Sequence, residues 1–163
     1  MPAGDGGGGG AGGGGKTALV GAAPRPGGRG DRRRRGAVSA SETPPPLLVE
    51  GVRLFNRGRW FEAHEVLEQA WLSERGEVRR LYQGLLQVGV GLHHARRGNR
   101  RGALSLLDRG IARLTPFAPQ RLGLDVARLL EQARAARHDL SEPGGLDAFD
   151  WRRAPRARLR RRR

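Results

Sequence analysis

The run His64-Glu65-Val66-Leu67-Glu68 is the densest group of side chains in the sequence that can hold an ion or move a proton. On a helix, side chains four apart share a face, so His64 and Glu68 converge while Glu65 turns about 100° away. The H-E-x-x-H pattern of zinc peptidases supplies two histidine ligands and a general-base glutamate at this spacing; here a glutamate stands in place of the second histidine. That donor set is richer in oxygen and suits a divalent zinc, manganese or iron ion. Further ligands would have to come from His93, His94 or Asp108, and a metal set of His64, Glu68 and His93 is one expectation. The structural alternative makes His64 a hydrogen-bonded residue at the edge of an apolar face formed by Phe61, Val66, Leu67 and Trp71, with Glu62, Glu65 and Glu68 as a solvated face. Gln83 and Gln87, four apart, are placed to hydrogen-bond across to His64 or Glu68 in a buried polar network.

Other chemistries find less support. The chain has no cysteine, which excludes a disulfide framework, thiolate nucleophiles and thiolate-ligated metals. Ser73, Ser105 and Thr115 lie in ordinary helical surroundings with no glycine-flanked nucleophile elbow. Gly10 to Thr17 formally satisfies the phosphate-loop pattern around Lys16, but that loop must leave a buried strand, and a glycine tract precedes it.

These side chains need elements to position them. Leu48, Val52 and Phe55 predict a helix after the proline run, ended by Asn56 and Gly58; Trp60, Ala63, Leu67, Ala70 and Trp71 predict a second. Leu81, Leu85, Val88 and Leu92 mark a longer third helix closed by Gly98. A fourth runs from Asn99 to Pro116, and a fifth from Leu122 to Leu140. No stretch alternates as a strand does, so the expected fold is all-α: a compact bundle of about five helices, two αα-hairpins plus a C-terminal helix, with disordered tails. An internal echo at an offset of 40 supports the hairpins at 47–73 and 77–115, because Arg57-Gly58 and Arg97-Gly98 each precede a helix in which Ala63/Ala103, Leu67/Leu107 and Glu68/Asp108 coincide. A degenerate tetratricopeptide repeat, of period about 34, is the rival description. Gly84, Gly91, Gly102 and Gly110 fall inside predicted helices at about 1 kcal/mol each relative to alanine, so close packing or a small pocket must compensate.

Charge divides the chain further. Of a formal +15 over 163 residues, positions 1–46 carry 7 bases and 3 acids, 47–150 carry 16 and 13, and 151–163 carry 8 bases and no acid. The expected organisation is a disordered Gly/Pro/Arg-rich extension (1–46), a helical domain (47–142) and a basic tail (143–163). In that tail, Arg152, Arg153, Arg156, Arg158, Arg160, Arg161, Arg162 and Arg163 can neutralise phosphates, giving weak, non-specific, salt-sensitive contact with nucleic acid; Trp151 is the one stacking platform nearby. No apolar run approaches the roughly 18 residues of a membrane span, and Thr17–Ala23 is too short for a secretory segment, so a soluble cytoplasmic protein is expected.

The run Phe55-Asn56-Arg57-Gly58-Arg59-Trp60-Phe61-Glu62-Ala63-His64-Glu65-Val66-Leu67-Glu68, then Trp71, Tyr82-Gln83-Gly84-Leu85-Leu86-Gln87, His93-His94 and Gly98-Asn99-Arg100-Arg101-Gly102-Ala103, resembles the DUF309 family over about residues 47–140. Those are small bacterial, archaeal and plastid-lineage proteins of unknown function. The resemblance implies an all-helical fold and marks His64, Glu65, Glu68, Trp71, Gln83, Gly84, one of His93 or His94, and Asn99 as family-motif positions. It implies no activity. The leading expectation is a small binding or scaffold module whose polar cleft recognises a protein or small-molecule partner. Its alternatives are a metal-assisted hydrolase or oxidase using His64 and Glu68, with Glu65 or Glu68 as base, and a nucleic-acid-associated protein acting through its tails. An exposed Trp60 or Tyr82 would mark a homodimer interface.

Overall fold

A computed structural model describes residues 42–160. The Gly10–Thr17 match, the Arg32–Arg35 run, the extension up to residue 41, and Arg161 to Arg163 lie outside the described residues. Pro45 in extended backbone followed by Pro46 at the first helical position starts α1, Pro46–Asn56, since proline pre-sets the helical φ where its missing N–H costs nothing. Helices α2 (Trp60–Ser73), α3 (Val78–Arg96), α4 (Arg100–Leu114) and α5 (Val126–Ser141) follow, then a short α6 (Gly145–Ala148). Each of α1 to α5 packs on its successor. Leu48, Phe55, Leu67, Leu81, Leu85, Leu107, Leu129 and Leu140 form one buried core. The all-α expectation therefore holds, and no helix among the described residues is long and apolar enough to cross a membrane.

The echo at 40 is a repeated turn. Arg57 (φ −86°, ψ 0°) and Arg97 (φ −86°, ψ 5°) end their helices, Gly58 and Gly98 take φ of 72° and 82°, and Arg59 (φ −89°, ψ 60°) and Asn99 (φ −88°, ψ 80°) open the next helix. Glycine is required at the left-handed step because a Cβ there meets its own backbone. The two hairpins also share their inward positions: Ala63, Leu67 and Ala70 of α2 correspond to Ala103, Leu107 and Gly110 of α4.

The helical glycines serve packing. A Cβ on Gly110 would stand 2.9 Å from the carbonyl oxygen of Gly84 and 2.8 Å from Val88 Cγ2, so α3 and α4 approach almost backbone to backbone. The fifth helix starts at Val126 rather than Leu122, because Leu122 (φ 49°) and Gly123 (φ 75°) form the two-residue turn of a hairpin between β1 (Gln120–Arg121) and β2 (Leu124–Asp125). Asp125 then caps α5, its carboxylate accepting from the Arg128 N–H at 3.1 Å.

The expected boundary at 142 is not a packing boundary. Phe149 and Ala157 are buried, and Leu159 bridges to Leu124. The Asn56 amide clamps Ala157, donating to its carbonyl at 2.7 Å and accepting from its N–H at 2.9 Å. Trp151 packs against Trp60 (centroids 5.6 Å apart) and Phe149 (4.8 Å), and the Arg96 guanidinium lies over both indoles at 4.3 and 4.9 Å. Trp151 is thus engaged within the fold, and Trp60 and Tyr82 are exposed by only 3% and 1%, so the condition set for a dimer interface, an exposed Trp60 or Tyr82, is not met.

Candidate functional site

Helix α2 turns Trp60, Ala63, Leu67 and Ala70 into the core. The exposed residues of α2 are Phe61, Glu65, Glu68, Gln69, Leu72 and Ser73. Phe61 and Leu72 are 60% and 65% exposed. Eleven residues advance a helix by three turns plus about 20° and by about 16 Å, so the two apolar side chains share one direction at the ends of a stripe with both glutamates between them. Glu62 is paired with Arg59, but neither Glu65 nor Glu68 has a salt-bridge partner among the described residues.

Helix α3 supplies the neighbouring wall. Leu86, Val90 and His93, at spacings of four and three, are half-buried along its side. The Phe61 ring lies between two imidazoles, His64 at 6.4 Å with planes 19° apart and His93 at 6.1 Å. Burial holds the His93 imidazole below its ordinary pKa, and the nearby Arg97, His94 and Arg96 act in the same direction. The neutral form of His93 is therefore favoured.

His94 has a different task. Asn99 Oδ1 accepts the Gly102 N–H at 2.9 Å, capping α4, which leaves its Nδ2 facing His94 Nδ1 at 3.1 Å. An amide nitrogen only donates, so Nδ1 accepts and the ring proton sits on Nε2. His94 and Asn99 thus stabilise the α3–α4 turn, and His93 is the histidine of this pair that lies near the Phe61 ring.

The other expected partners are drawn elsewhere. Gln87 does not reach α2; it accepts from Arg113 Nε of α4 at 3.0 Å, because its place on α3 faces α4. Gln83 is half-buried on the open side of α3. Trp71 lies under the Arg79 guanidinium, 4.6 Å from its ring centroid. Asp108, the repeat equivalent of Glu68, is held by Arg137 of α5 at 2.8 and 3.1 Å. Among the described residues no three His, Asp or Glu side chains group as the ligands of one ion would. His64, Glu68 and His93 are therefore not grouped as the ligands of one ion among the described residues: the His64 ring lies 6.4 Å from that of Phe61, and Glu68 has no salt-bridge partner there.

Sequence reasoning missed the stripe because Phe61 reads as part of the apolar edge. The signal was present in the spacing, since Phe61 and Leu72 fall off the 60/63/67/70 buried period and onto 61/65/68/72. It also missed the Asn56 clamp, which no local pattern announces.

Comparison with known proteins bears on this same region. The model of the family described as "Domain of unknown function (DUF309)" matches residues 48–106, that is, α1 to the first turns of α4. The chain is 41% identical over 75 residues to "Uncharacterized protein YpuF" of Bacillus subtilis (strain 168), covering 44% of this chain and 43% of that protein. It is 30% identical over 66 residues to an "Uncharacterized protein" of Aquifex aeolicus (strain VF5), covering 40% of this chain and 20% of that one. The match thus spans less than half of either relative. The segment that carries the stripe and its histidines, residues 48–106, is thus the part of the chain that is similar to the DUF309 family.

Proposed function

We propose that this protein is a helical binding module that captures a cationic, amphipathic helix of a partner protein on the Phe61–Leu72 stripe of α2. The observation that carries it is the placement of two exposed apolar side chains at either end of two unpaired glutamates on one helical line. A helix docking on such a face presents apolar anchors at matching spacing with Lys or Arg between them. The His64 and His93 rings near Phe61, and the half-buried Leu86 and Val90 on α3, offer further apolar surface. The stripe also lies wholly inside the family match.

The test is selection of a displayed library of amphipathic helical peptides on the full chain, followed by direct titration of the recovered peptides. Enriched sequences should pair aliphatic or aromatic anchors with Lys and Arg. Phe61→Ala should weaken their binding by about 30-fold, the scale of an interface anchor, and Glu65→Gln with Glu68→Gln should remove most of the salt dependence. Both changes are at solvent, so the melting temperature should stay put. Peptides that bind the Phe61→Ala/Leu72→Ser protein as tightly as the parent would refute the assignment.

A further inference from the structure

We propose that α5 and the C-terminal segment form a second, independent binding site, for the phosphodiester backbone of nucleic acid. A cleft of about 690 Å³ between them is lined by Arg128, Arg152, Arg153, Arg156 and Arg158, against which stand the carboxylates of Glu131 and Asp139. Arg152 is paired with Asp150 at 3.3 Å; Arg128, Arg153, Arg156 and Arg158 have no carboxylate partner among the described residues.

The arginines stand on an anchored backbone. The Arg156 N–H donates to Gln132 Oε1 at 2.8 Å, Ala157 is clamped on both sides by Asn56, the Arg158 carbonyl accepts from the Asp125 N–H at 2.9 Å, and the Arg160 N–H donates to the Gly123 carbonyl at 2.8 Å. The segment is extended, with Ala157 and Leu159 turned inward and Arg156, Arg158 and Arg160 exposed. Alternate residues of an extended chain are about 6.6 Å apart on one side, so the guanidinium groups form a row rather than a point. A row of exposed guanidiniums carried on a fixed backbone can meet a row of phosphates by charge and bidentate hydrogen bonding. Trp151 is packed into the Trp60/Phe149 cluster and cannot stack on bases, so contact is with the backbone and independent of base sequence.

The test uses the full chain and fluorescence anisotropy with a labelled mixed-sequence duplex of about 20 base pairs, titrated at several salt concentrations. The cleft variant is Arg128→Gln/Arg156→Gln/Arg158→Gln. A control of equal net charge, Arg75→Gln/Arg80→Gln/Arg101→Gln, changes arginines away from the cleft. Each lost phosphate contact removes about 0.9 from the slope of log affinity against log salt, so the cleft variant should be shallower by about 2.7, and its affinity loss between about 50 and about 200 mM salt should shrink by about 40-fold relative to the parent. The control should keep the parent slope. Equal slopes in parent and cleft variant, or equal losses in both variants, would overturn the proposal. So would one-to-one binding of inorganic tripolyphosphate that requires the three arginines while duplex affinity does not; the cleft would then serve a small polyphosphate.

Discussion

Replacing Gly110 by alanine sets two opposing effects against each other at the α3–α4 contact. Alanine in a helix interior is favoured over glycine by about 1 kcal/mol. Against this, the added Cβ would stand 2.8 Å from Val88 Cγ2, 2.9 Å from the Gly84 carbonyl oxygen and 3.0 Å from the Val88 nitrogen. Two of those three atoms are backbone, so no rotamer change relieves them and the helices must separate. Overpacking of a filled core costs about 1–3 kcal/mol, and a backbone clash belongs at the upper end of that range. The net expectation is a loss of about 2 kcal/mol, or roughly 6–8 °C in Tm for a domain of this size. Urea unfolding followed by far-ultraviolet circular dichroism measures it, with the m-value unchanged if only the native state is affected. Gly76→Ala is the control, since nothing lies within 4 Å of its Cβ; it should be neutral or stabilising by about 0.4–1 kcal/mol. A Gly110→Ala protein as stable as the parent would show that α3 and α4 can part at no cost, and the packing explanation of the glycines would be wrong.

Asn56→Ala removes both hydrogen bonds to Ala157. At about 1 kcal/mol each the cost is about 2 kcal/mol, and hydrogen exchange at residues 155–160 should rise before the helices are affected; unchanged protection there would contradict the clamp. The lowered pKa of His93 makes stability depend on pH with a definite sign. Above about 6.5 the residue is neutral in both states, and as pH falls the unfolded chain takes up the proton first, so stability present above that pH is lost as acid approaches the lowered folded value. His93→Gln should flatten the fall of Tm between about pH 6.5 and about pH 5; parallel curves for parent and variant would count against burial of that imidazole.

The helices and their turns were legible in the sequence because the signals are local. Leu48, Val52 and Phe55, or Ala103, Leu107 and Leu114, report their own burial through a 3.6-residue period, and Gly58 and Gly98 report a left-handed step that few other residues take. The one misplaced start, at Leu122, arose because Leu122-Gly123 form a turn that periodicity alone does not distinguish from a helix. The site was half legible. His64, Glu65 and Glu68 follow from spacing, but that His94 is engaged with Asn99 while His93 lies near Phe61 depends on contacts outside the local pattern. The direction of Gln87 depends on Arg113, 26 residues away. Arg156-Ala157-Arg158-Leu159-Arg160 reads as a solvated basic run, since its charge is local while the groups that hold it, Asn56 above all, are up to 101 residues distant. The sequence by itself therefore determined the five main helices, the glycine steps between them and their repeat. Only the tertiary structure decided which faces stay open and which arginines are held in a row, because those outcomes rest on hydrogen bonds and packing between residues that no local pattern connects.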